Sequence, residues 1–274
     1  MSKSRRPAAI GPAGRQDTAE PDGQAREVLR LFEAKAVTWS AKYAPGGSLV
    51  SRRDSLSRAV STHTQAGDRV LDLGCGTGEL ARTLAAAGLR VAGCDISQQM
   101  LARAGRAYGA GDPDGCARWV RLTPGWRSLP FTSAVFDVVV AASVLEYMAE
   151  PAVMLRECAR VLRPGGVILY TVPDLRHPVR WAEWLAKRLA RVAGTPSGGD
   201  LRSRWHEYQA YLRESRQRHC LRWWLAASGS AGLDPVPFPA DGACSPLRLL
   251  AFKRADEALA SSVGESAAQQ GVRR

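Results

Sequence analysis

Three glycines set between two aspartates, Asp72, Gly74, Gly76, Gly78 and Asp95, are the residues whose types and spacing could do chemistry. Glycine at such intervals lets a backbone bend tightly and approach a ligand where a Cβ would collide. A helix that starts at the bend aims its unpaired N–H groups at the same place. An acidic residue at the end of the next strand can accept hydrogen bonds from ribose hydroxyls. Bend, helix start and distal carboxylate together describe a nucleotide-type site.

Two departures narrow the type. A dinucleotide fingerprint, G-x-G-x-x-G, requires glycine at position 79. That position is Glu79, and the third glycine comes one residue early. Asp72, two residues before the first glycine, would repel a pyrophosphate but suits a ligand carrying an ammonium group and a positive sulfur. S-adenosyl-L-methionine (SAM) is therefore favoured over a nicotinamide dinucleotide.

The elements that must position these residues alternate along the chain. Strands are expected at 69–73, 90–95, 118–122, 135–141 and 167–173, and helices at 78–87, 97–107 and 150–162. This alternation calls for a parallel sheet with helices on both faces. Two closing strands, near 235–238 and 247–253, bring the sheet to seven strands, mostly parallel and Rossmann-like. Ligands bind such sheets beyond the C-terminal strand ends, so Gly74, Asp95, Gly125, Ser143 and Pro173 are expected on one rim. Helices over 26–43 and 52–64 precede the sheet, and Tyr43 stands just before the helix stop Pro45-Gly46-Gly47. After Pro173 the spacing predicts a helix over 179–192, with Trp181, Trp184, Leu185, Leu189 and Val192 toward one side. Arg180, Lys187, Arg188 and Arg191 fall mainly on the other. A loop at 194–199 and a helix at 219–228, packing Leu221, Trp224 and Leu225, follow.

The motifs resemble those of the class I SAM-dependent methyltransferases over roughly residues 65–173. Gly93-Cys-Asp-Ile-Ser-Gln-Gln-Met100 is similar to the family's second motif. The resemblance implies that Asp95 holds the ribose and that Ile96 flanks the adenine. It also places Met100, Cys75 and Ser143 among the cofactor contacts. Leu129-Pro-Phe131, Phe136–Ser143 and Leu162–Pro173 resemble the segments leading into the fourth and fifth strands. The likeness is to the small-molecule branch, which includes quinone-biosynthesis and porphyrin methyltransferases. In that family an N-terminal helix and its aromatic end, here Tyr43, often cover the cofactor. The segment after the fifth strand is where the family builds a substrate lid, here 174–218. One departure stands out: the acidic residue often found five positions before Pro130 is replaced by Gly125. Trp126 beside it either stacks on the adenine or packs against the strand edge.

The bulk composition bounds the rest. The 274 residues suffice for one large domain, taken as 27–254 with the helical lid insertion. Residues 1–26 and 255–274 are polar, apolar-poor stretches expected to be disordered tails. The first lacks the apolar core of a secretory signal, and no apolar run approaches the ~20 residues of a membrane span. A cytoplasmic location is the expectation. Six cysteines lack metal-ligand spacing and read as reduced packing thiols, with no metal site. The net charge is +12, and residues 174–224 carry an excess of six of it together with five of the eight tryptophans. A basic, Trp-rich helix over 176–193 has three readings: an ordinary lid, a peripheral contact with anionic lipid, or recognition of an anionic or planar aromatic substrate. Nothing in the sequence fixes an oligomeric state.

Methyl transfer from a sulfonium needs the acceptor held in line, about 3–3.5 Å from the methyl carbon. A base helps when the acceptor arrives protonated. Glu146 and His177 are the candidate catalytic groups, with Tyr147 and His206 nearby in the pattern, and a structural role competes for each. The expected acceptor is a small molecule, methylated at an oxygen on an aromatic, quinone-like or lipid-like metabolite. Two other classes remain open: an RNA or protein methyltransferase, and a non-catalytic SAM-binding protein. Positive charge favours nucleic acid. Ala141-Ala-Ser-Val-Leu-Glu146 lacks the Asn/Asp-Pro-Pro-aromatic run of base-amino methyltransferases, which disfavours that partner.

Overall fold

The computed structural model describes residues 23–108, 116–189, 209–237 and 246–256. Five strands, β1 (Arg69–Leu73), β2 (Arg90–Asp95), β3 (Ala117–Arg121), β4 (Phe136–Ala141) and β5 (Leu162–Pro173), run parallel. The sheet is completed by β6 (Leu233–Pro235) and β7 (Leu247–Arg254) in the order β3-β2-β1-β4-β5-β7-β6, with β7 antiparallel to both neighbours. The seven-stranded, mostly parallel Rossmann-like architecture expected from the alternation is present.

Side-chain alternation divides the core between the two faces. Val70, Val138, Val140 and Leu169 pack against α2 (Val50–Ser61) and α3 (Glu79–Ala86). Leu71, Val139, Ile168 and Tyr170 pack against α5 (Pro151–Val161) and α7 (Leu221–Ser230). Strands covered on both sides read as unbroken apolar runs, as β1, β4 and β5 do. The chain leaves β1 toward β2 on one side, while β4 pairs with β1 on the other. The crevice at the β1–β4 boundary is therefore where a ligand fits.

Several boundaries differ from expectation for physical reasons. Helix α1 (Gly23–Trp39) begins inside the stretch read as a tail, because Gln24 is buried and its Nε2 donates to Tyr147 O at 3.3 Å. Strand β5 begins at Leu162 rather than 167. Phe136 pairs with Leu162 and Val138 with Val167, so the sheet absorbs the turn-like Arg163-Pro-Gly-Gly166 run as a bulge. The remaining tail residues, the 194–199 loop, His206 and residues 190–208 of the insertion lie outside the described residues.

On α6 (Val179–Leu189) the tryptophan side faces outward, with Trp181 74% and Trp184 56% exposed, whereas Glu183 is buried. On α7 Trp224 is buried but Leu221 and Leu225 are exposed, so that helix packs one of the three apolar side chains expected. Among the described residues no helix is long and apolar enough to cross a membrane.

Candidate active site

At the end of β1 the chain turns into α3 through residues 74–78. Gly74, Gly76 and Gly78 have φ of +72°, +55° and +82°. A side chain in that region costs roughly 1–2 kcal/mol. Gly74 N and Cys75 N both donate to Cys94 O, at 2.7 and 3.0 Å, tying the bend to β2. The glycines serve different ends. A Cβ on Gly76 would stand 3.0 Å from Trp39 Nε1, at the end of α1 above the bend. A Cβ on Gly78 would stand 2.5 Å from the Trp119 ring. The expectation that all three glycines make room for a ligand is corrected: Gly78 makes room for Trp119, and Gly74 for the Val144 side chain.

The two carboxylates meet at this bend. Asp95 Oδ2 accepts from Gly76 N at 2.9 Å and Oδ1 from Ser97 N at 2.8 Å. Burial pushes its pKa up to about 6 against those backbone bonds. Asp72 is buried, and its Oδ2 has no hydrogen-bond partner. Burial, with the charges of Asp95 and Glu79, pushes Asp72 up to about 7. A buried carboxylate oxygen lacking a donor is costly, and such groups concentrate at functional sites. Cys75, beside them, has its thiol pushed well up by burial. The five described cysteines are all free, and no metal-ligand cluster exists among the described residues.

A second set of polar groups lies beyond β4. Ser143 has φ of +55°, rare for a residue with a side chain. Its N donates to Thr171 Oγ1 at 2.8 Å, and its Oγ accepts from Arg52 Nη2 at 2.9 Å. Glu146 follows in a 3-10 turn, Leu145–Tyr147. It is buried, and its Oε2 lacks a partner. Burial raises its pKa above the ordinary carboxylate value, opposed by Arg52, Ser143, Arg180 and Arg218. Facing it, Glu183 pairs with Arg180 and with Arg218, each at 2.6 Å. Burial works to raise the Glu183 carboxyl, but the hydrogen bonds from Arg218 and Arg180 prevail and hold it low. An aromatic wall completes this end: Phe32 meets Tyr147 edge-on at 5.2 Å and Tyr211 at 6.3 Å.

Asp72, Asp95, Ser143, Glu146, Glu183, its two arginines, Arg52 and the aromatic wall border one cavity of about 700 Å³. That lies within the roughly 300–1,000 Å³ of small-molecule sites. The bend supplies Asp72, Gly74, Cys75 and Gly76, and the end of β2 with α4 (Gln98–Tyr108) supplies Asp95, Ile96 and Met100. Gly125, Trp126, Ser143 and Glu146 come from the loops after β3 and β4, and Tyr43 from the segment after α1. Burial pushes the Tyr43 hydroxyl up to about 12. Trp126 packs in the core and also borders the cavity. His177 does not line the cavity; its Nδ1 accepts from Val179 N at 3.1 Å, at the start of α6.

Sequence reasoning gave no site role to Arg52, Glu183, Arg218 and Tyr211, and placed Arg180 only on the basic side of the lid helix. One signal was present. Arg52, Leu56 and Val60 share the i, i+4, i+8 stripe of α2, so a cation sits on that helix's apolar face.

A glycine bend between β1 and α3, a carboxylate closing β2 and a cleft at the β1–β4 boundary define a Rossmann-like nucleotide-binding α/β protein. The profile of a family described as "Methyltransferase domain" matches residues 71–170. The chain is 34% identical over 231 residues to the demethylmenaquinone methyltransferase of Clavibacter sepedonicus, covering 80% of this chain and 87% of that one. It is 39% identical over 154 residues to the 27-O-demethylrifamycin SV methyltransferase of Amycolatopsis mediterranei, covering 55% of this chain but only 54% of that enzyme. In fold it resembles magnesium protoporphyrin IX methyltransferase from Synechocystis PCC 6803, with a TM-score of 0.63 at 17% identity over 83% of this chain and 98% of that one. The chain belongs to the class I SAM-dependent methyltransferases, in their small-molecule branch. SAM is the cofactor of that family. The residues present suit it: an unpartnered buried carboxylate oxygen for a cationic group, on a cavity that Gly74 and Gly76 also border.

Proposed function

We propose that this protein transfers a methyl group from SAM to a small-molecule acceptor, at an oxygen of an aromatic or quinone-like metabolite. The observation that carries the reading is the unpartnered Asp72 Oδ2, buried beside Asp95 in a cavity that continues past the bend to Glu146. In this reading Asp72 takes the ammonium group and Asp95 the ribose hydroxyls. Ile96, Met100 and Trp126 enclose the adenine, and Tyr43 covers the methionine end. When bound, SAM supplies an electrophilic methyl carbon. The chain's task is then to orient the acceptor and exclude water.

Glu146 is the proton acceptor in this proposal. Glu146 borders the cavity, its Oε2 is buried and unpartnered, and burial raises its basicity. A hydroxyl acceptor would lose its proton to that oxygen as the O–CH₃ bond forms. Incubating the protein with isotopically labelled SAM and a panel of phenols and hydroquinones tests the reading. Labelled ether product supports it; SAM binding without any product supports the non-catalytic alternative instead.

A peripheral membrane contact is a further part of the proposal, favoured by the outward Trp181 and Trp184 on α6. The Arg188 guanidinium lies 5.7 Å from the Trp184 ring, so cation and aromatic share that surface. Such a helix suits an anionic bilayer surface holding an apolar acceptor. Flotation with phosphatidylglycerol vesicles should carry the protein upward and should fail after replacement of both tryptophans by alanine. Equal flotation of the two proteins would remove the contact.

A further inference from the structure

The cavity is electrically two-ended. Asp72 and Asp95 stand at the glycine end, while Arg52, Arg180 and Arg218 stand beyond Ser143. At that far end Glu183 neutralises only one of the two guanidiniums it bridges, leaving one positive charge, and Arg52 adds another. The adjacent Glu146, a carboxylate when it acts as the base, offsets one of these charges, so the far end keeps a net positive charge.

The two bridged arginines are fixed to different extents. Arg180 spends all three nitrogens on the protein: Nη1 on Glu183, Nη2 on Pro246 O at 2.6 Å and Nε on Asp174 O at 3.4 Å. Arg218 gives Nε to Ser215 O at 3.2 Å and Nη1 to Glu183, and its Nη2 makes no hydrogen bond among the described residues. Arg218 thus borders the cavity with its orientation set and donors to spare. A guanidinium so held suits an oxygen anion spread over two atoms, with little further ordering needed.

We propose that the Arg180–Glu183–Arg218 cluster selects the acceptor, binding a planar molecule through a carboxylate-type oxyanion. This deepens the methyl-transfer reading and rests on it. The Phe32, Tyr147 and Tyr211 rings provide the apolar wall for the planar body. The two carboxylates at the glycine end repel an anion, so the acceptor enters with its anionic end toward α6. An anchor for α6 alone would need one arginine on Glu183 and no donor left on the cavity.

The test is calorimetric, on the full chain saturated with S-adenosylhomocysteine, with a matched pair of probes: a hydroxynaphthoic acid and the corresponding naphthol. The parent should bind the acid about tenfold or more tightly than the naphthol, the scale of a hydrogen bond between charged groups. Arg218→Gln should erase that preference while leaving naphthol binding unchanged. Glu183→Gln frees positive charge and should keep or strengthen the preference. Equal affinities in the parent, no binding of the acid, or the same loss in both variants would overturn the proposal. S-adenosylhomocysteine affinity is measured in the same experiment. Its absence counts against the methyl-transfer reading, and its retention without acid preference counts against this inference alone.

Discussion

Gly76 N donates to Asp95 Oδ2 at 2.9 Å, so the middle of the glycine bend hangs on the carboxylate that closes β2. The residue assigned to the ribose also fixes the loop beneath it. Asp95→Ala should therefore cost more than one ligand contact. Bonds to a charged group contribute about 1.5–3 kcal/mol, so SAM binding should weaken by about 10- to 100-fold. Titration calorimetry reads this directly, and an unchanged affinity would refute the role given to Asp95.

Gly76 and Gly78 should respond differently to a single methyl group. Gly78→Ala adds left-handed strain of roughly 1–2 kcal/mol and a collision with Trp119, so the melting temperature should fall. Replacing Trp119 by leucine in that background should recover part of the loss. Gly76→Ala should reduce SAM affinity more than it reduces stability. Reversed effects would contradict the division of labour between the two positions.

Asp72 gives a pH dependence of definite sign. Its folded pKa, about 7, lies above the ordinary 3.8. The folded protein thus holds a proton that the unfolded chain has lost between those values. Stability from this group is complete below about pH 4 and declines as pH rises toward 7. A cationic ligand prefers the ionised carboxylate, so SAM binding near pH 6 should release a proton and strengthen as pH rises. Calorimetry in buffers of different ionisation enthalpy counts that proton, and a count of zero would refute the Asp72 assignment.

Much of this site was legible because β1, β2 and their glycine turn are local features. The Asp72–Asp95 spacing needs only strand, bend and helix to come together. The arginine end was not legible, because Arg218 reaches Glu183 from 35 residues away. Helical periodicity set Arg180 opposite the tryptophans without fixing its surroundings, since a buried ion pair and a solvated charge look alike in one sequence. The outward tryptophans of α6 were only one of three readings for the same reason, as periodicity fixes which residues share a face and not which face is buried. The five-residue error at the start of β5 arose because Arg163-Pro-Gly-Gly166 has turn composition, yet pairing with β4 holds the chain extended.

Glu146→Gln separates catalysis from binding. Removal of a positioned base should lower kcat by about 100-fold or more while SAM affinity is retained. The rise of kcat with pH that reports the carboxylate should vanish as well. An equal fall in SAM affinity would make Glu146 a support for the cavity wall instead.

Co-crystallisation with S-adenosylhomocysteine tests the location of the cofactor most directly. Its ribose should lie on Asp95 and its amino group within hydrogen-bond distance of Asp72 Oδ2. Density for the nucleoside away from the Gly74–Gly76 bend, or both carboxylates left untouched by it, would contradict the site.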